Sequence, residues 1–340
     1  MTSTPTDNIS TGGRMADNRL ADLEQKTVAN SSKLPRAFLR RDFIKKKAPR
    51  DYVLPSFPLG KVGILMGAGG TGKSFFALQA AFQVAAGRCC DFALGGLSKC
   101  ENGIARVLYI SLEDEADDIE RRYGDVADYW ETDEDRKLWM SEIAESDFVR
   151  VIPLAGQNIT LINSDHSATM HYQAVLEEAK AMPGLRLIII DTLKRSHRGE
   201  ENSNDSMGFV LQHFEFLAKE TGAAVLLLHH ENKNSTVSDE SGQGASRGAS
   251  AIIDNARYAI RMQIMPRKEA TSRHIDDDER RQWVKVSLEK SNFGPYHPPC
   301  WLQRQETGVL IAKEPPMACE SNSNGNNTRT NGGFNGRNHD

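Results

Sequence analysis

The octapeptide GAGGTGKS at 67–74 constrains this chain most, because a glycine-rich loop of that spacing works only between a strand and a helix. It follows the apolar run VGILMG (62–67) and precedes FFALQAAFQVAAG (75–87), whose apolar residues recur at helical spacing. Every fixed position of G-x-x-x-x-G-K-[ST] is filled. The loop Gly67, Ala68, Gly69, Gly70, Thr71, Gly72 is expected to wrap phosphates with its backbone N–H groups. Lys73 would then reach the β- and γ-phosphates and Ser74 would ligate Mg²⁺, while the helix N-terminus adds its dipole. The expected cofactors are therefore ATP and Mg²⁺.

Around this loop the chain alternates between two periods. RVLYIS (106–111), FVRVI (148–152), LRLIII (185–190) and AAVLLLH (223–229) read as further buried parallel strands. The intervening helices are EADDIERRYGDVADYW (115–130), ATMHYQAVLEEAKAM (168–182) and SMGFVLQHFEFLAKETG (206–222). Strand and helix in alternation predict an α/β fold with a mostly parallel sheet and right-handed crossovers. After residue 250, ARYAIRMQI and WVKVSLEK predict strands joined by the charged turn DDDERR, an antiparallel extension of that sheet.

Both ends differ in composition. Residues 1–32 are polar without hydrophobic period and are expected to be disordered. The segment 33–50 carries eight basic residues and one acid, and reads as a solvated linker or a nucleic-acid contact. From 315 a Gly/Asn/Ser tract reads as a tail, leaving 51–314 as the folded domain. The net charge of −4 argues against a surface coated in basic patches, though not against a narrow basic channel. No apolar run approaches a membrane span and no secretory h-region follows Met1. Five cysteines without CxxC spacing fit reduced thiols, so a soluble cytoplasmic protein is expected.

Carboxylates at strand ends are the next candidates. Asp191, closing LRLIII on a strand placed beside the P-loop strand, reads as the carboxylate holding Mg²⁺ through water, or as a helix N-cap. Glu113, after RVLYISL, is suited to polarising the attacking water; Asp114 and Glu115 compete with it. His229 and His230 close the last parallel strand and must point to opposite faces, so only one can meet the phosphates. KRSHRGEENSNDS (194–206) and ENKNSTVSDESGQGASRG (231–248) read as long loops on the same rim, either solvated or lining a nucleic-acid path. Arg247 and Arg257 are each either an arginine finger given to a neighbour's γ-phosphate or an ordinary ion-pair residue.

Taken in order, DYVLP (51–55), GAGGTGKS, the strand ending in Glu113, DTLKRSH (191–197), EEN (200–202), LLHH (227–230), ASRGAS (245–250), DNAR (254–257), DDDERR (276–281) and KSNFG (290–294) resemble the RepA-type hexameric replicative helicases of broad-host-range plasmids. The resemblance spans about 51–314 and implies a RecA-like P-loop fold, a homo-hexameric ring, and Mg²⁺-ATP hydrolysis at subunit interfaces. It also implies single-stranded DNA as the track, with a plasmid initiator and a primase as possible partners. By position it implies Lys73 and Ser74 in the P-loop, Glu113 as catalytic carboxylate and Asp191 as the Walker B acid. His230 falls on the phosphate-sensing histidine and Arg257 on the arginine finger, with Arg247 the second candidate. Two other readings compete with a helicase: a RecA-like recombination or repair ATPase, and an ATP-switched replication regulator.

Overall fold

A computed structural model describes residues 49–86, 105–131, 147–201, 203–231, 252–253 and 255–317. Arg247, both expected disordered ends, and four of the cysteines (Cys89, Cys90, Cys100, Cys319) lie outside them. So does all of the 231–248 loop beyond Glu231.

Two short strands, β1 (Tyr52–Leu54) and β2 (Phe57–Pro58), pair antiparallel and lead into β3 (Val62–Ala68) and helix α1 (Lys73–Ala86). Then come β4 (Arg106–Ser111), α2 (Ala116–Glu131), β5 (Val149–Pro153), α3 (Met170–Ala181), β6 (Leu185–Asp191) and the single turn α4 (Leu193–Ser196). The chain continues through α5 (Asn204–Thr221), β7 (Ala224–Glu231), β8 (Tyr258–Ile264), α6 (Arg267–Ser272) and α7 (Asp277–Arg280). It closes with β9 (Trp283–Ser291), β10 (Cys300–Arg304) and β11 (Leu310–Ala312). All of these elements belong to the unit that begins at Arg50. One nine-stranded sheet has the order β11-β10-β9-β8-β3-β7-β6-β4-β5, and its members from β8 to β5 are parallel.

Alternation along each strand builds two cores, one on each face. Leu65, Tyr109, Ile189 and Leu226 pack beneath α1 and α2 through Phe76, Phe82 and Trp130. Ile64, Ile110, Ile190 and Leu227 face α3 and α5 through Tyr172, Val210 and Phe214. The parallel strands are apolar on both faces for this reason. The helices are stopped by local chemistry: Thr169 and Ser203 cap α3 and α5 through their hydroxyls, and Gly222 at φ +74° ends α5. Leu226, fully buried in the central β7, makes a direct test. Leu226→Ala should cost about 2–5 kcal/mol in urea unfolding, the transfer and cavity terms of a core leucine.

Three expectations are corrected. Asp191 is not on a strand beside the P-loop strand, because β7, which follows β6 in the chain, inserts between β3 and β6. Strand order in space is a property of crossovers, which local periodicity does not encode. The segment 194–206 is not a structureless loop, since α4 occupies its start and α5 begins at Asn204. DDDERR is not a turn: Asp276 accepts from the N–H groups of Asp278 and Glu279 and caps α7, so β8 and β9 pair antiparallel across two short helices. Their connection packs on a small separate cluster, Met265, Ala270, Ile275, Trp283 and Trp301. Among the described residues no helix is long and apolar enough to cross a membrane.

Candidate active site

All parallel strands end on one edge of the sheet, and register fixes what meets there. Gly67 of β3 pairs with His230 of β7, and Ser111 of β4 pairs with Asp191 of β6. Glycine is required at two P-loop positions. A Cβ on Gly67 would lie 2.5 Å from the Met262 carbonyl oxygen, and Gly72 holds φ +90°. Thr71 folds the loop back, its hydroxyl donating to the Ala68 carbonyl at 2.9 Å.

Lys73 opens α1 and is buried, its Nζ donating to the carbonyls of Gly67 (2.8 Å) and Ala68 (3.0 Å). The same Nζ lies 3.2 Å from His230 Nδ1, and His230 Nε2 lies 3.3 Å from Glu113 Oε2. An ammonium can only donate, so this chain of bonds requires the tautomer in which Nδ1 accepts and Nε2–H donates to the carboxylate. The hydrogen bond from His230 holds Glu113 below the usual carboxylate range against the opposing effect of burial. Burial lowers the Lys73 ammonium to about 8, although Asp191, Glu113 and Glu231 pull it upward.

The competition among the three acids is resolved by geometry. Asp114 is engaged by both guanidinium nitrogens of Arg122, while Glu115 is exposed before the first turn of α2. Glu113 alone of the three joins His230. Asp191 is not the cap of α4, which is Thr192. Its carboxylate is buried, accepts from Tyr109 Oη at 2.6 Å and from the Ser74 hydroxyl, and burial raises its pKa. A hydroxyl beside a carboxylate is the oxygen pair that a P-loop offers to Mg²⁺, the remaining ligands being phosphate and water. Among the described residues no cluster of three or more His, Cys, Asp or Glu forms a metal cage, in keeping with that partial coordination.

The two histidines divide as strand alternation requires. His229 is buried on the opposite face, and burial pushes it down to about 4, so it is neutral near pH 7. The cavity above the P-loop has a volume of about 340 Å³ and is lined by Gly72, Phe75, Glu113, Arg122, His230 and Arg304 among others. Sequence reasoning misses three of the residues gathered here. Tyr109 reads as one more apolar strand residue, and nothing local marks Arg122 or Arg304. Arg257 is exposed just before β8, whose pairing with β3 puts it at the far end of the sheet. There it lines a second concavity of about 250 Å³ with Lys61, Lys219 and Phe293.

A parallel sheet with a glycine-rich loop at its switch point, helices on both faces and an antiparallel edge defines a RecA-like P-loop ATPase. The chain belongs to the AAA domain family AAA_25, whose profile matches residues 29–236. Its fold is similar to that of a helicase ATPase domain of known structure, at TM-score 0.51 and 13% identity over 90% of this chain and 100% of that one. A KaiC-like protein from Pyrococcus horikoshii OT3 aligns at TM-score 0.48 and 15% identity, over 79% and 100% of the two chains. The RadB recombinase aligns at 0.43 and 13%, over 75% and 92%.

Proposed function

We propose that this protein is a ring-forming DNA helicase of the RepA type, driven by Mg²⁺-ATP hydrolysis and acting in plasmid or mobile-element replication. The observation that carries the reading is the chain Lys73–His230–Glu113, which joins the ends of three separate strands at the P-loop. Lys73 is assigned to the β/γ-phosphates, and Ser74 with Asp191 to the metal, which would supply charge neutralisation at the phosphates. Glu113 orients the attacking water and accepts its proton. His230, bonded to both, registers whether the γ-phosphate is present. Arg257 faces away from its own P-loop and is assigned to a neighbour's, which makes each site a property of two subunits.

The single-stranded track is assigned to the rim carrying α4. There Lys194, Arg195 and Arg198 line a cavity of about 260 Å³ with Asn158, Thr160 and buried His197, at the same edge of the sheet as the P-loop. Cations on a helix turn and the loop after it suit a phosphate backbone. The ordered motifs from DTLKRSH to KSNFG favour the RepA type over other RecA-like ATPases. The test is strand displacement on a forked duplex with ATP, together with ATPase stimulation by single-stranded DNA. Slow turnover with no displacement would overturn the helicase reading while leaving the ATPase intact.

The Lys73 ammonium provides a second, pH-based check. Phosphates at the P-loop stabilise its charged form, so binding takes up a proton wherever the free protein holds Lys73 neutral, between about 8 and the ordinary 10.5. Apparent ATP affinity should fall as pH rises through that window and stay level below it. Calorimetry in two buffers of different ionisation enthalpy should find about one proton taken up at pH 9 and almost none at pH 7. Equal uptake at both would place Lys73 away from the phosphates.

A further inference from the structure

The hairpin of β10 and β11 lies against the P-loop, far from it in sequence. It is fastened to α1 by buried Gln79, whose side chain donates to the Leu310 carbonyl at 2.9 Å and accepts from the Leu310 N–H at 3.0 Å. Gly308 in the hairpin turn lies against Phe75, so closely that a Cβ there would meet the ring at 2.5 Å. The hairpin is therefore seated on the first turns of α1 with little freedom.

Arg304 ends β10 and reaches over the loop, its Nη2 donating to the Gly70 carbonyl at 2.7 Å. A Cβ on Gly72 would lie 3.2 Å from the same Nη2. The guanidinium lines the cavity above the P-loop and is half-buried, and burial lowers its pKa. Among the described residues no carboxylate pairs with it, whereas Arg122 on the same cavity is held by Asp114. A partly desolvated cation with one of five donors used, no counter-ion, and an anion cradle beneath it is incomplete without an anion.

We propose that Arg304 is a nucleotide-binding residue that contacts, in cis, the non-transferred phosphates of the nucleotide on its own subunit's P-loop. It stands over Gly70–Gly72, while the γ-phosphate end is marked by Lys73, His230 and Glu113. Arg304 thus binds ATP and ADP alike, and Arg257 acts on the transferring group from another subunit. The assignment rests on the proposed ATP site.

The experiment measures binding of fluorescent ADP and ATP analogues to the full chain as wild type, Arg304→Gln, Arg304→Met and Lys285→Gln. Both Arg304 variants should weaken ADP and ATP by the same roughly 10–100-fold, the range for a hydrogen-bonded charged partner. KM should rise while kcat at saturation is largely kept, and Lys285→Gln, a β9 residue outside the cavity, should match wild type. In wild type, ADP should also protect Arg304 from phenylglyoxal, read by peptide mass spectrometry. That readout does not depend on the variants folding. Wild-type affinity in a folded Arg304 variant, or unprotected Arg304 with ADP bound, overturns the assignment alone. Failure of the wild type to bind either nucleotide overturns the ATP site and the assignment together.

Discussion

Subunits carrying Lys73→Ala and subunits carrying Arg257→Ala, each nearly inactive alone, should recover part of their ATPase when mixed in one ring. The reason is distance. Register places Arg257 level with Val62, six residues short of Ala68 where the P-loop begins, which is roughly 20 Å along a strand. An arginine cannot span that, so Arg257 cannot serve its own site. It is exposed beside Lys61 and Lys219, on a surface that a second copy could present to the P-loop edge. A head-to-tail contact of this kind closes into a ring when its rotation permits. Loss of an arginine finger costs roughly 10³–10⁵ in rate, so the parental backgrounds should be low enough to reveal partial recovery. Mixed rings verified by native mass spectrometry yet showing no recovery would eliminate a trans role. The Lys73→Ala and Arg304→Gln pair should give none, because both residues belong to the same subunit's site. Recovered ATPase need not bring recovered unwinding, since a ring can require every site to fire in order.

Glu113→Gln should leave nucleotide binding close to wild type and lower turnover by roughly 10²–10⁴, the usual contribution of a positioned acid–base group. The amide can still hydrogen-bond His230, so the architecture of the strand ends is preserved while the negative charge is lost. Because the His230 hydrogen bond keeps Glu113 below the ordinary carboxylate range, it is ionised throughout the neutral region. It is correspondingly a weak base, and its effect falls mainly on orienting and polarising water. The acid limb of kcat/KM should accordingly lie below the ordinary value of 4.5 and move upward in His230→Ala, which removes that hydrogen bond. Nucleotide affinity is the discriminating measurement: a Glu113→Gln protein that no longer bound ATP would show a structural role at the strand end. Asp114→Asn, which disturbs only the pair with Arg122, should cost far less turnover.

Features that depend on neighbours along the chain were legible in the residues alone. Apolar alternation placed the parallel strands, helical spacing placed α1, α2, α3 and α5, and the spacing of GAGGTGKS placed a phosphate-shaped loop between a strand and a helix. Asp191, Glu113 and His230 could be picked out because each follows an apolar run, and a polar residue at a strand's carboxyl end is where a parallel sheet presents its chemistry. Features that depend on strand order came from the folded chain. It put β7 between β3 and β6, and thereby brought His230 within hydrogen-bond reach of both Lys73 and Glu113. It separated Glu113 from Asp114 by giving Arg122 to one of them, and supplied Tyr109 to Asp191. It carried Arg304 more than two hundred residues back onto the P-loop. Such pairings arise from packing across the sheet and its edge hairpin, where the partners share no sequence period and no common element, so no local pattern can announce them.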